Sequence, residues 1–353
     1  MKTDSVGSDG LVPDSVVFVS CADSGELHVL HLSAATGQLR TEQVLPLGGQ
    51  LMPMALSPDS KRLYVARRSD PLAVITLEVD GIAGRAKVLA EAPLPASMAH
   101  LSVDETGRWL LAASYGGDMV SVQAVDTDGA VRPETADTHT YATARHAHCV
   151  LTTPGNHFVL AASLGGGQLH GYRLNASTGA LVPTDPAVFV MPPGTGPRHL
   201  CFNTRGDRVY VLGELDAVVH VLSFDRDRGE LSLLQSLPTM PSDFEGGAWG
   251  ADLHLSPDGR WLYTSERNSH TLAGFAVGAS DGLLTPVGHW PTQQQPRGFA
   301  ITDDGRYLVS AGQASHRVGV HAISPATGAL TLVGECAVGQ NPNWVTIVPL
   351  HQN

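Results

Sequence analysis

The segment DLHLSPDGRWLYT (residues 252–264) reads as two short strands joined by a tight turn. Leu253 and Leu255 alternate with polar neighbours, the pattern of a strand with one buried face. Ser-Pro-Asp-Gly then supplies the turn: Pro257 presets φ, Asp258 bonds its own backbone, and Gly259 accepts positive φ. Apolar residues resume at Trp261. The unit recurs as MALSPDSKRLYV (54–65), HLSVDETGRWLL (100–111), HCVLTTPGNHFVL (148–160), HLCFNTRGDRVYV (199–211) and GFAITDDGRYLVS (298–310). With turns at Ser60, Gly107, Gly155, Gly206, Gly259 and Gly305 the spacings are 47, 48, 51, 53 and 46. A recurring period of this size marks a repeat architecture.

A second hairpin follows each of these, as in LHVLHLSAATGQL (27–39), LHGYRLNASTGAL (169–181) and RVGVHAISPATGAL (317–330). Seven such hairpins turn at Gly37, Gly81, Gly129, Gly179, Gly229, Gly282 and Gly328. The first hairpin has six complete copies. Its seventh is divided, with PNWVTIV (342–348) near the C-terminus and VVFVS (16–20) near the N-terminus. A closed ring explains the division, because the two ends then pair in one sheet and remove the free edge. A solenoid would leave that end uncapped. The expected fold is therefore an all-β, seven-bladed β-propeller with four antiparallel strands per blade. It occupies residues 15–353 as one domain, behind a disordered tail at residues 1–14.

Composition agrees with many short strands and turns: 38 Gly, 23 Pro and only 16% charged residues in 353. The net charge of −12 and the absence of a Lys/Arg cluster argue against nucleic acid and anionic membranes as partners. No apolar run reaches the roughly 18 residues of a membrane span, so a cytoplasmic monomer is expected. Cys21, Cys149, Cys201 and Cys336 are widely spaced in apolar runs and read as buried free thiols.

If the inner strand A and its neighbour B form the SPDG hairpin, the start of A and the end of B share one face beside the axis. The end-of-B positions are Ala22, Arg68, Tyr115, Ser163, Glu214, Arg267 and Gln313. The start-of-A positions are Pro53, His100, His148, His199, Asp252, Gly298 and Trp344, with Arg198, Arg297 and Asn343 one residue earlier. A purely structural repeat would show similar residues round each ring. These differ from blade to blade and carry Arg, His, Glu and Asp, as a site built on a symmetric scaffold would.

The segments GPRHL, GEL, WGADLHLSPDGRWLYTSER, QPRGF, AGQASH and VGQNPNWV resemble the seven-bladed bacterial 6-phosphogluconolactonases, a superfamily that includes fungal carboxy-cis,cis-muconate lactonizing enzyme. The resemblance runs from about Val16 to Val348. It implies metal-free hydrolysis of 6-phospho-D-glucono-1,5-lactone in the pentose phosphate pathway, with no cofactor. Matched by position, it assigns catalytic roles to His148, Arg198, Glu214 and Arg267, and places Arg297 in the shared PRGF motif. The run ARHAHCV departs from the pattern by adding His146 and Arg145 beside His148.

Lactone hydrolysis needs an activated water, a stabilised oxyanion and a proton for the leaving ring oxygen. His148 or Glu214 can serve as base. Arg198, Arg267 and Arg297 can divide oxyanion stabilisation and anion binding. His199, Asp252, Gln313, His316 and Tyr115 are expected to line the substrate. Glu266 reads as a surface partner of Arg267. The competing readings are a muconate-type cyclase or lactonase for a carboxylated substrate, and a non-catalytic propeller that binds a ligand or protein on this face. A metal held by His100, His148 and Asp252 is a further alternative.

Overall fold

In the computed structural model, which describes residues 14–350, the chain forms 28 strands in seven four-stranded antiparallel sheets. Blade 1 joins the two ends of the chain: its inner strand is Pro342–Pro349, and Ser15–Cys21, Glu26–Leu32 and Leu39–Pro46 lie outside it. Val16 pairs with Val348 and Phe18 with Thr346, so the divided repeat closes the ring as expected, and blades 2 to 7 follow in chain order as residues 51–93, 100–140, 147–190, 197–238, 250–291 and 296–337. The expected tail falls outside the described residues except at Asp14. There the carboxylate accepts the Ala34 amide at 2.7 Å and pairs with His31 at 3.0 Å.

Seven apolar clusters hold the ring, one between each neighbouring pair of blades. Burying these faces is the main stabilising term. The repeated tyrosine of the first hairpin has a more specific task. Tyr64, Tyr210 and Tyr263, each four residues past its turn, donate their hydroxyls to Gly129, Gly282 and Gly328 in the outer turn of the next blade; Tyr307, two residues past its turn and level with Trp109, donates to Ala34 in the same way that Trp109 donates to Ala176. The motif thus bonds one blade to the next.

Two turns sit differently from the expected register. In blade 2 the turn residue with positive φ is Gly84, whose amide bonds Asp80 O; it is not Gly81. In blade 4 Gly155 and Asn156 both take positive φ (87° and 60°), and it is the Asn156 amide that bonds Thr153 O as Gly107 bonds Asp104 O. Aligning on Gly155 therefore places blade 4 one residue out of phase, and Leu164, not Ser163, is its end-of-B residue. The amide of Leu164 bonds His146 O, as Arg68, Glu214, Arg267 and Gln313 bond Gln50, Gly196, Trp249 and Gln295.

Of the four thiols, Cys21 and Cys149 are buried, whereas Cys201 and Cys336 are partly exposed; all four are free.

Candidate active site

The ends of the inner strands carry the site because most of these strands bulge there. Opposite their B strands, the register shifts at Asn343, His148, Arg198 and Arg297, and across the equivalent positions in blades 2 and 6. A bulge places one extra residue against a single partner and re-aims its side chain. His148, Arg198 and Arg297 are thus structurally equivalent. Counting back from Gly155 instead of Asn156 sets His148 level with His199, one residue out of phase.

Arg198 is almost wholly buried, at 1% exposure. Its Nε donates to Glu214 Oε2 at 2.9 Å, and its Nη1 donates to His199 Nε2 at 3.2 Å and to Ala251 O. Arg267 also reaches Glu214 Oε2 at 2.9 Å, donates to Gly250 O at 2.9 Å, and lies 3.9 Å over the Trp249 ring. One carboxylate oxygen therefore sits between two arginines whose directions are set by neighbouring backbone. Burial alone would raise the Glu214 pKa, but Arg198, Arg267 and Arg297 hold it below the ordinary range.

Arg297 and Arg68 complete the cationic group. Arg297 Nε is buried and has no partner among the described residues. Burial and the charges of Arg198, Arg267 and Arg68 make its cation costly, and Glu214 offsets this only in part. Arg68 donates to Ser97 Oγ at 3.0 Å and lies beside Met52. Arg68 was legible as a member of the end-of-B ring, but nothing in its local sequence joins it to Arg297. Four arginines around one carboxylate leave an excess of positive charge in a protein whose net charge is −12. Such a site attracts an anion.

His148 lies beside this group with its Nδ1 buried and unpartnered among the described residues. Burial, then Arg198, His199, Arg297 and Arg267, holds it well below the ordinary histidine range and keeps it neutral. His100, His148 and His199 pack together, with ring centroids 5.2 Å (His148–His199) and 5.4 Å (His100–His199) apart. Trp344 closes the group at 5.6 Å from both His100 and His199. Tyr115 forms the rim: it meets His148 edge-on and stacks flat on His146 at 4.0 Å. His146 turns its Nδ1 to Tyr115 O, so it braces the rim and leaves the axial position to His148.

Other expected residues stand elsewhere. Gln313 donates to Asn341 Oδ1 at 2.6 Å, and the exposed His316 accepts the Asn341 amide at 3.2 Å; no described contact joins either to the arginines. Asp252 bonds only protein groups, His199 and His254 among them. Glu266 is buried, not a surface partner: it accepts the Trp249 and Ser269 amides. Among the described residues no three His, Cys, Asp or Glu side chains are arranged to hold a metal ion. A groove of about 560 Å³ on the opposite face, between blades 1 and 2, has mixed charge that is partly paired already, as in Lys87–Glu78 at 2.7 Å.

Residues 16–347 match the family described as lactonase, 7-bladed beta-propeller. The chain is 36% identical over 287 residues to 6-phosphogluconolactonase of Serratia proteamaculans, covering 81% of this chain and 84% of that one. It is equally similar to 6-phosphogluconolactonase of Yersinia pestis, covering 81% and 83%. Among solved structures, periplasmic gluconolactonase of Pseudomonas aeruginosa superposes with a TM-score of 0.87 at 26% identity, covering 96% of this chain and all of that one. A protein from Lactobacillus plantarum superposes at 0.86 with 26% identity, covering 95% and 99%.

Proposed function

The chain belongs to the family of seven-bladed β-propeller lactonases, and from that premise we propose that it hydrolyses 6-phospho-D-glucono-1,5-lactone to 6-phosphogluconate. The observation that carries this reading is the excess of arginine at the head of the axis beside a neutral, unpartnered histidine.

In the proposed reaction, neutral His148 takes a proton from water as the water oxygen attacks the lactone carbonyl carbon. The carbonyl π electrons move to oxygen, and the resulting oxyanion faces Arg198. Arg198 suits this role because three protein acceptors fix its guanidinium before substrate arrives; preorganised donors are the ones that stabilise developing charge without reorganising. The tetrahedral centre then expels the ring oxygen, which takes the proton from His148. Water and lactone give the hydroxy acid, which ionises in solution.

Arg297 and Arg68, less constrained by protein bonds, would hold the phosphate. A phosphate dianion there would offset the charges that depress His148, so substrate binding itself would raise the basicity of the base. Glu214 is the weaker candidate for base, since two arginines already occupy one of its oxygens; its role is to fix them. The setting we propose is cytoplasmic, where the phosphorylated substrate is formed, with the protein acting as a monomer.

Hydrolysis of freshly generated 6-phosphogluconolactone, measured against its spontaneous rate, tests this directly. Wild type should accelerate it, and His148→Gln should lose roughly 10²–10⁴ of that acceleration. Wild-type activity confined to the unphosphorylated gluconolactone would favour the activity named for the Pseudomonas protein. No acceleration of either lactone would end the reading.

A further inference from the structure

We infer that His199 and Asp252 are positioning residues: Asp252 holds the His199 proton on Nδ1, which makes Nε2 the acceptor that locks Arg198 and leaves Nη2 as its free donor. The inference rests on the proposed lactonase reading only in taking Arg198 to act on substrate.

A guanidinium has five N–H donors and no acceptor. Arg198 Nε–H is spent on Glu214, and the two Nη1 protons on His199 and Ala251 O. Among the described residues no acceptor meets Nη2. Because Nη1 can only donate, His199 Nε2 must carry a lone pair. The single proton of the neutral ring is then on Nδ1, which lies 2.7 Å from Asp252 Oδ1, a length usual for a bond to an ionised carboxylate.

Asp252 is held in turn on every side. Oδ1 also accepts the Leu253 amide at 3.0 Å; Oδ2 accepts the Phe299 amide at 3.2 Å and meets His254 Nε2 at 3.1 Å. Phe299 belongs to the next blade, two residues after Arg297, so one carboxylate ties the bulge of Arg198 to the strand that carries Arg297. His100, His148 and Trp344 fix the plane of the His199 ring. Neither His199 nor Asp252 retains a polar atom for substrate. The expectation that they bind it directly is therefore corrected: they act through Arg198. The arrangement follows the rule that groups behind a functional side chain set its tautomer and direction.

Two readouts test the inference. The first needs no activity: ¹⁵N spectra of histidine-labelled wild type at neutral pH should show His199 neutral and protonated on Nδ1. A ring protonated on Nε2, or on both nitrogens, would overturn the proposal. The second compares His199→Leu, which fills the space without an acceptor, with His199→Gln, whose amide oxygen can accept from Nη1. On 6-phosphogluconolactone, with folding checked by circular dichroism, His199→Leu should lower kcat about 10–100-fold and leave KM within about threefold. His199→Gln should recover most of the loss. Wild-type kcat in His199→Leu, or no recovery in a folded His199→Gln, would overturn it. If wild type hydrolyses no lactone, the functional reading fails while the tautomer still decides this one.

Discussion

In the proposed reaction Arg198 serves as a donor that three protein atoms aim in advance, and two of the groups that aim it, Glu214 and His199, are titratable. Burial, with Arg198, lowers His199 to about 4, and Asp252 opposes this only in part. His148 and His100 also lie well below the ordinary range, each chiefly through burial. For Asp252, burial is outweighed by His254 and His199, and its pKa falls; Glu214 falls for the reasons given. For each of these groups the unfolded chain binds more protons than the folded one, so their contribution to stability declines as pH falls; His254, which Asp252 raises against the effect of burial, works the other way. The histidines act in the window from about 6.5 down to about 4 for His199, and the carboxylates below the ordinary range of about 4. The melting temperature of wild type should therefore fall between pH 7 and pH 4.5, and His199→Gln should show a shallower fall. A flat profile across that interval, read by calorimetry, would contradict the assigned neutral histidines. At this scale the sequence is informative about residue type and place: Arg198, Glu214 and Arg267 are visible as charges at strand ends. It is silent about direction. Asp252 reads as a substrate contact and Glu266 as a surface partner of Arg267, yet both are taken up by backbone amides, that of Phe299 from the next blade among them.

Hairpins and their turns set which residues reach the axis. The SPDG hairpin is legible because its turn chemistry is specific, and its tyrosine recurs because each hydroxyl bonds the neighbouring blade. Tyr263→Phe removes one such bond, leaving Gly328 O buried without its donor. The loss should be about 1–3 kcal/mol in denaturant unfolding, with kcat unchanged. An unchanged midpoint would mean that the tyrosine contributes only its ring. The bulges were not legible. A bulge adds a residue without changing local composition, and turn-to-turn spacing absorbs it. In blade 4 the turn keeps its ordinary length but carries its glycine one place early, with Asn156 where most other blades have Gly. This is why the alignment made His148 equivalent to His199 and chose Ser163 over Leu164. Asn tolerates that conformation better than most non-glycine residues; the TPGN run contained the signal, and preference for Gly at the turn obscured it.

The whole ring was readable from one asymmetry, the repeat divided between the two ends of the chain. Its closure rests on more than strand pairing: Asn343 Nδ2 reaches Ser20 O, Leu51 O and Asn341 O, stitching blade 1 to itself and to blade 2. Symmetry then supplies seven equivalent positions, and the chain fills only some of them with charge. The result is a local cationic site on an acidic molecule, and its purpose is the central claim. The most direct measurement is the ratio of kcat/KM for 6-phosphogluconolactone to that for unphosphorylated glucono-1,5-lactone, in wild type and in Arg297→Ala. The arginine group predicts a large preference for the phosphorylated lactone in wild type, falling by about 10-fold or more in Arg297→Ala through loss of a charge-assisted contact. A ratio near one in wild type, or one that Arg297→Ala leaves unchanged, would contradict it.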